Sequence, residues 1–103
     1  MKLDRLEKLM LSWAEDRNLI EGSDPKSQLL KTVSELGGLA DGINKQRKHE
    51  IKDGIGDVIV TLIIIAAQCG LSLDECLEQA YNDIKDRKGR MSGGCFVKEE
   101  DLN

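Results

Sequence analysis

Hydrophobic residues recur at intervals of three and four positions along the first part of the chain, between Leu3 and Trp13. This spacing places them on one face of an amphipathic helix. Polar and charged residues occupy the positions between them. The pattern predicts a first helix that begins at Leu3 and ends near Asn18.

A second helix follows a break in this pattern at Pro25. Ser23 and Asp24 are residue types that cap helix N-termini, and proline is favoured in a first helical turn. The second helix is therefore predicted from this cap to about Asn44. A polar, basic link of residues 45–49 separates it from the next segment.

A third helix is predicted over roughly residues 50–69, and its C-terminal half is hydrophobic on every side. This character predicts the central helix of the fold. Gly70 is suited to end it, because glycine readily adopts the left-handed conformation found at helix C-termini. Ser72 and Glu75 have the S-x-x-E spacing of a capping box, which predicts a fourth helix through about Lys88.

Length and composition favour an all-α fold that is completed by self-association. A chain of 103 residues has the size of one domain and buries only part of its apolar surface. Aromatic content is 3%, which favours helix-on-helix packing over a sheet. The third helix has more apolar residues than one short partner covers: Val60, Ile63, Ile64 and Ala67. We expect a four-helix bundle over residues 1–92, a surface tail over residues 93–103, and a homodimer or tetramer.

Charge, cysteine content and hydropathy argue against several classes of protein. The net charge is −4 and no long basic stretch is present, so duplex nucleic acid is not an expected partner. Cys69, Cys76 and Cys95 lack C-x-x-C spacing, which favours a reducing cytoplasm over a zinc site or disulfides. Cys69 and Cys76 are expected in the core. Residues 58–67 form the longest apolar run, about half of the roughly 20 residues that span a membrane.

Acidic residues are concentrated in the second and third predicted helices. Glu35 lies in the second, while Asp53 and Asp57 share one face of the third because they are four residues apart. A short link favours antiparallel packing of the two helices, which would bring the three carboxylates together. Mg²⁺ would relieve their repulsion. The alternative is that each carboxylate faces solvent or pairs with a nearby lysine.

Glycines are unusually frequent in the same two helices, although a glycine inside a helix costs about 1 kcal/mol relative to alanine. They are Gly37, Gly38, Gly42, Gly54 and Gly56. One interpretation is close contact between helices, and the other is room for a ligand or metal beside the backbone. Both interpretations stay open at the level of sequence.

Several stretches of the chain resemble the MazG-like all-α nucleotide pyrophosphohydrolases, whose pattern is E-E-x-x-E followed by E-x-x-D on the next helix. They are residues 35–37, 39–40, 56–63 and 81–89. Residues 81–89 together with 94–98 are similar to small phage-borne members of the family. The resemblance covers nearly the whole chain. It implies hydrolysis of a nucleoside triphosphate to a monophosphate and pyrophosphate, with Mg²⁺ or Mn²⁺ as cofactor.

The resemblance also implies roles for the acidic residues. Glu35 and Asp57 match family ligands, so they are expected to hold the metal and to act in catalysis. Asp53 is expected to serve as a substitute metal ligand. Three expected glutamates are replaced, by Ser34, Gly38 and Gly54. The replacements at positions 38 and 54 support an alternative function, a catalytically silent relative that binds a nucleotide or a protein partner.

Four further residues resemble the substrate-binding residues of the family. Trp13 corresponds to an aromatic side chain offered to the nucleobase, and Lys85, Arg87 and Lys88 correspond to cations that meet the phosphates. Each has a structural alternative. A tryptophan at helical spacing is commonly a core residue, and cations near a helix C-terminus interact favourably with its dipole.

Overall fold

The computed structural model describes residues 1–102 and contains four helices followed by a short hairpin. The helices are α1 (Leu3–Asp16), α2 (Pro25–Asn44), α3 (Lys48–Gln68) and α4 (Leu73–Ile84). The strands are β1 (Gly89–Ser92) and β2 (Cys95–Lys98), and a 3-10 turn covers Glu99–Asp101. The predicted all-α, four-helix fold is confirmed.

Capping residues determine where two of the helices begin. A carboxylate oxygen of Asp24 accepts a hydrogen bond of 2.8 Å from the backbone N–H of Ser27, and Pro25 is the first residue of α2. At α4, the hydroxyl of Ser72 accepts from the backbone N–H of Glu75 at 3.2 Å. The Glu75 carboxylate accepts in turn from the backbone N–H of Ser72 at 2.7 Å. The predicted capping box is therefore present.

The hairpin is a feature that the sequence did not predict. α4 ends at Ile84, four residues before its predicted end, and β1 then pairs with β2 in antiparallel register. Gly93 and Gly94 connect the strands with φ angles of 60° and 85°, the left-handed conformation that a two-residue hairpin turn requires. Strands of four residues are too short for their alternation to be recognised. Asn103, the last residue of the predicted tail, lies outside the described residues.

α2 and α3 form the most extensive helix pair and run antiparallel. Thr32, early in α2, contacts Thr61, late in α3, through their hydroxyls. At the other end of the pair, Gly42 lies against Ile51. Residue numbers therefore rise along α2 as they fall along α3. This arrangement confirms the pairing expected from the short link.

α3 is the central helix, with packing contacts to α1, α2 and α4. Its buried residues are Gly54, Thr61, Ile63, Ile64 and Ala66. Within residues 1–102, no single helix combines the length and apolar character needed to cross a membrane. Only α3 and α4 together, across a bend of 99°, meet those two criteria.

The apolar core of the single chain is small, and the expectation that places two cysteines in it is wrong. Ile63 and Ile64 are covered by the chain's own helices, whereas Val60 and Ala67 are only partly buried, so contact of α3 with another subunit stays a prediction. Cys69 and Cys76 are exposed rather than in the core. Cys69 lies just past the end of α3, and Cys76 lies on α4, which has no buried residue in the single chain.

Candidate active site

An open groove of about 300 Å³ lies between α2 and the first half of α3. Its lining residues are Glu35, Gly38, Asp41, Lys45, Glu50, Asp53, Gly54 and Asp57. The three predicted metal ligands therefore lie along one groove. Asp41 and Glu50 also line the groove, although they were not among the predicted site residues.

The side chains of Glu35 and Asp57 lie next to each other across the two helices. The pKa of Asp57 is raised, first by partial desolvation and then by the negative charges of Glu35 and Asp53. A hydrogen bond from protonated Asp57 to Glu35 raises this pKa further, whereas the positive charge of Lys31 lowers it. Two crowded carboxylates hold a proton, or attract a cation, more readily than one carboxylate alone.

Basic side chains on the same helices lie beside two acids of the groove. The ammonium nitrogen of Lys31 lies 3.1 Å from Oε1 of Glu35, which is the lysine pairing left open by the sequence. Nε2 of His49 lies 3.3 Å from Oδ2 of Asp53. His49 was not assigned a role from the sequence, although its spacing of four residues from Asp53 permits this contact within one helix.

The carboxylates present in the groove fit a hard divalent ion with an incomplete set of protein ligands. Within residues 1–102, no three His, Cys, Asp or Glu side chains are arranged to hold one ion. Glu35 and Asp57 form a pair, and Asp53, whose charge also acts on Asp57, contacts His49. Mg²⁺ is commonly bound through one or two carboxylates together with waters and substrate phosphates. The pair is therefore compatible with Mg²⁺ or Mn²⁺, and the role of Asp53 as a third ligand stays a prediction.

The two glycines that replace expected glutamates have different surroundings. A Cβ atom on Gly38 would meet nothing within 4 Å, so this position borders open space. A Cβ atom on Gly54 would lie 2.9 Å from Cβ and 3.0 Å from Cα of Leu39. Close contact between α2 and α3 therefore explains Gly54, whereas Gly38 leaves room beside the carboxylates.

The predicted phosphate-binding cations of the α4 region do not line this groove. Arg87 and Lys88 border a separate cleft of about 650 Å³ beside the hairpin, which also includes acidic residues. The backbone carbonyl of Lys88 accepts a hydrogen bond of 2.8 Å from the N–H of Glu99, which ties this segment to the hairpin. Lys85 borders neither cavity. Contact of these cations with a nucleotide stays a prediction.

Trp13 is partly exposed, with 41% of its surface accessible, so it is not a buried core residue. The guanidinium carbon of Arg17 lies 4.4 Å from the centroid of its ring, in a cation–π contact. Arg17 also donates a hydrogen bond of 3.1 Å to the backbone carbonyl of Trp13. One ring face is thus covered, and Trp13 does not line the carboxylate groove. Its contact with a nucleobase stays a prediction.

Comparison with known proteins assigns the chain to a family. The MazG nucleotide pyrophosphohydrolase domain matches residues 23–91, from the N-terminal cap of α2 into β1. The chain is 46% identical over 66 residues to an uncharacterized 18.2 kDa protein from the rep-hol intergenic region of Haemophilus phage HP1 (strain HP1c1). That match covers 64% of this chain and 40% of the phage protein, so the chain spans less than half of the relative's length. No solved structure matches the chain. The family match includes both helices of the groove, and the chain belongs to the MazG nucleotide pyrophosphohydrolase domain family.

Proposed function

We propose that the protein is a divalent-metal-dependent pyrophosphohydrolase that converts a nucleoside triphosphate to NMP or dNMP and pyrophosphate. The observation that carries this proposal is the adjacent pair of carboxylates, Glu35 and Asp57, at an open groove between two helices. These are the two positions that match metal ligands of the family. Family membership supports the class of reaction, and the carboxylate pair supports binding of a divalent metal ion.

The chain's own residues would bind the metal and help to bind the phosphates. Glu35 and Asp57 would hold Mg²⁺ or Mn²⁺, which when bound neutralises charge on the phosphates. Both carboxylates must be deprotonated to act as metal ligands. Asp53, one turn before Asp57, is the proposed substitute ligand. Lys45 lines the same groove and provides a positive charge for a triphosphate.

The test is an assay of pyrophosphate release from a panel of NTPs and dNTPs in the presence of Mg²⁺ or Mn²⁺. We expect turnover that EDTA abolishes and that Asp57→Asn reduces by at least a hundredfold, because the substitution removes one of two adjacent ligands. Asp16→Asn, a surface change on α1 outside the groove, should leave the rate unchanged. Absence of turnover with every nucleotide would end the enzymatic proposal.

A second candidate function is favoured by the glycines of the groove. Because Gly38 and Gly54 supply no carboxylate, the protein is alternatively a relative that binds a nucleotide or a protein partner without hydrolysing it. Calorimetric titration separates the two candidates. Saturable nucleotide binding without pyrophosphate release supports the silent relative, whereas release under the same conditions supports the enzyme.

The proposal includes a homodimer or tetramer, because the single chain exposes too much surface. Its accessible surface is 8063 Å², whereas a compact monomer of this mass exposes about 5,800 Å². Its radius of gyration is 16.3 Å, against about 13 Å for a compact domain of this length. The excess of about 2,300 Å² per chain corresponds to about 4,600 Å² for a dimer, which lies in the range that obligate homodimer interfaces bury in total.

An exposed apolar stripe along α2, which we call the α2 stripe, is the proposed site of this association. It consists of Leu29, Val33, Leu36, Ala40 and Ile43, all exposed in the single chain. The alternating intervals of four and three residues match the seam of a coiled coil. Leu36 lies about 200° around the helix from Gly38, so a partner on the α2 stripe would leave the groove open.

We propose a cytoplasmic location for the protein. Cys69, Cys76 and Cys95 are free and exposed thiols. Exposed thiols persist in a reducing compartment and are readily oxidised outside it. A measurement of the fraction of free thiols in protein isolated from its natural host tests this location.

A further inference from the structure

The groove offers a free divalent ion few ligands. Glu35 and Asp57 are the two adjacent carboxylates, and within residues 1–102 no third His, Cys, Asp or Glu completes a cluster with them. Glu35 is also paired with the ammonium group of Lys31 at 3.1 Å. A metal ion that approaches the free protein must therefore share one of its two ligands with a lysine.

Two further acids of the groove, Glu50 and Asp53, have basic neighbours on α3 or just before it. Asp53 is paired with His49 at 3.3 Å, and Glu50 is paired with Arg47 at 3.0 Å. The Arg47 contact offsets part of the negative charge that would attract a metal to the groove. Both contacts are exposed pairs and so are individually weak.

Gly38 and Gly54 add no carboxylate ligand to Glu35 and Asp57. Position 54 is closed to any side chain, because a Cβ atom there would lie 2.9 Å from Cβ of Leu39. Position 38 borders open space and supplies no ligand. Additional oxygen ligands must then come from water or from the substrate. Phosphate oxygens are the ligands that Mg²⁺ accepts beside one or two protein carboxylates.

We propose that the groove binds a divalent ion together with the nucleotide's phosphates, instead of holding the ion before the nucleotide arrives. This inference rests on the proposed function and adds how the metal enters the site. Metal and nucleotide then raise each other's affinity for the protein by the same factor, because binding free energies are reciprocally linked. The phosphates provide the oxygen ligands that Gly38 and Gly54 do not.

The experiment measures Mn²⁺ binding to the full chain by electron paramagnetic resonance, with and without a dNTP analogue carrying a methylene bridge between the α and β phosphorus atoms. Such an analogue binds but is not hydrolysed at that bond. We expect Mn²⁺ to bind at least tenfold more tightly with the analogue, after correction for Mn²⁺ bound by the analogue alone. Calorimetry should show that the analogue binds at least tenfold more tightly with Mn²⁺ than with EDTA.

A matched pair of variants tests the cause of this coupling. Gly38→Glu adds a carboxylate in the open space beside Glu35 and Asp57, so we expect at least tenfold tighter binding of Mn²⁺ alone and weaker coupling to the analogue. Gly38→Gln adds a side chain of the same size without the charge and should bind Mn²⁺ alone as weakly as the wild type. Equal effects of the two substitutions would overturn the proposed cause.

The remaining outcomes separate this inference from the proposed function. Binding of Mn²⁺ to the free chain with the same affinity as in the ternary complex would overturn the inference and leave the proposed enzyme intact. Equal affinity of the analogue with Mn²⁺ and with EDTA would also overturn it. Failure of the analogue to bind under either condition would overturn the inference and also contradict binding of a triphosphate.

Discussion

The hydroxyl of Thr32 donates a hydrogen bond of 2.8 Å to the hydroxyl of Thr61 inside the contact between α2 and α3. Thr61 in turn donates to the backbone carbonyl of Val58 at 2.7 Å. Both threonines are buried, with 5% and 4% of their surfaces accessible. They lie one helical turn from Glu35 and Asp57, so the helix register that joins the hydroxyls also brings the two carboxylates together.

The hydroxyl pair should contribute measurably to stability. Thr32→Val removes the donor and leaves an oxygen lone pair of Thr61 unsatisfied, so we expect a loss of about 1 kcal/mol in the free energy of unfolding. The double variant, Thr32→Val with Thr61→Val, should lose less than the sum of the single losses, because no polar atom is left unpaired between the helices. Urea unfolding at one fixed chain concentration measures all three variants. Strictly additive losses would contradict the coupling.

Gly54 should tolerate no side chain, in contrast to the glycine at position 37. Gly54→Ala places a Cβ atom against Leu39, and we expect a loss of about 1–3 kcal/mol in the free energy of unfolding. Gly37→Ala, where a Cβ atom would meet nothing within 4 Å, should instead gain up to about 1 kcal/mol. Thermal and urea unfolding check both values. An equal gain at both positions would refute the close helix contact.

The raised pKa of Asp57 predicts a pH dependence of stability in EDTA. The folded state holds the Asp57 proton more tightly than the unfolded state, so protonation favours folding. This contribution is complete below the unfolded pKa, about 3.9, and disappears as the pH rises through the raised pKa of the folded state. Asp57→Asn stays neutral and avoids the loss. The melting temperature of Asp57→Asn minus that of the wild type should therefore increase from pH 3 to pH 7.

A control variant shows whether this pH effect belongs to the carboxylate pair. Glu35→Gln removes the nearest negative charge, so the pH dependence due to Asp57 should become smaller. Asp16→Asn lies outside the groove and should change the pH profile little. A profile of Asp57→Asn that runs parallel to that of the wild type from pH 3 to pH 7 would contradict the raised pKa.

Self-association through the α2 stripe predicts a change in molecular mass. Val33→Lys places a charge in the middle of the stripe, where burial of an unpaired ammonium group is strongly unfavourable. We expect light scattering after gel filtration to give a multiple of 11.4 kDa for the wild type and a lower multiple, or 11.4 kDa, for the variant. Ser34→Lys adds the same charge beside the stripe and should preserve the wild-type mass. Unchanged assembly in Val33→Lys would exclude this surface.

The family pattern alone suggests that glutamates at positions 38 and 54 would restore the site. In the structure, however, the two positions differ in the space that they offer a side chain. Gly38→Glu has space, whereas Gly54→Glu would force α2 and α3 apart at Leu39. We therefore expect only the first substitution to increase metal binding. The residue that a family motif has at one position does not give the distance between two helix backbones. This distance decides whether a glutamate side chain fits there.

The sequence by itself was sufficient to predict the four helices, a cap at Ser23 or Asp24, the capping box at Ser72, and the antiparallel pairing of α2 with α3. These features depend on local hydrogen bonds, on the period of apolar residues and on a short link, all of which are readable along one stretch of chain. The presence of Glu35 and Asp57 on facing helices followed from the same information. The close approach of α2 and α3 brings the carboxylates of Glu35 and Asp57 next to each other.

Only the tertiary structure decided which side chains lie together and which surfaces stay open. It showed that Gly38 borders open space whereas Gly54 contacts α2. It also paired Asp53 with His49 and placed Arg87 at a cleft other than the groove. It also covered Ile63 within the chain and left the α2 stripe exposed. Each of these results depends on the register and distance between packed helices, which arise from many weak contacts distributed over the whole chain.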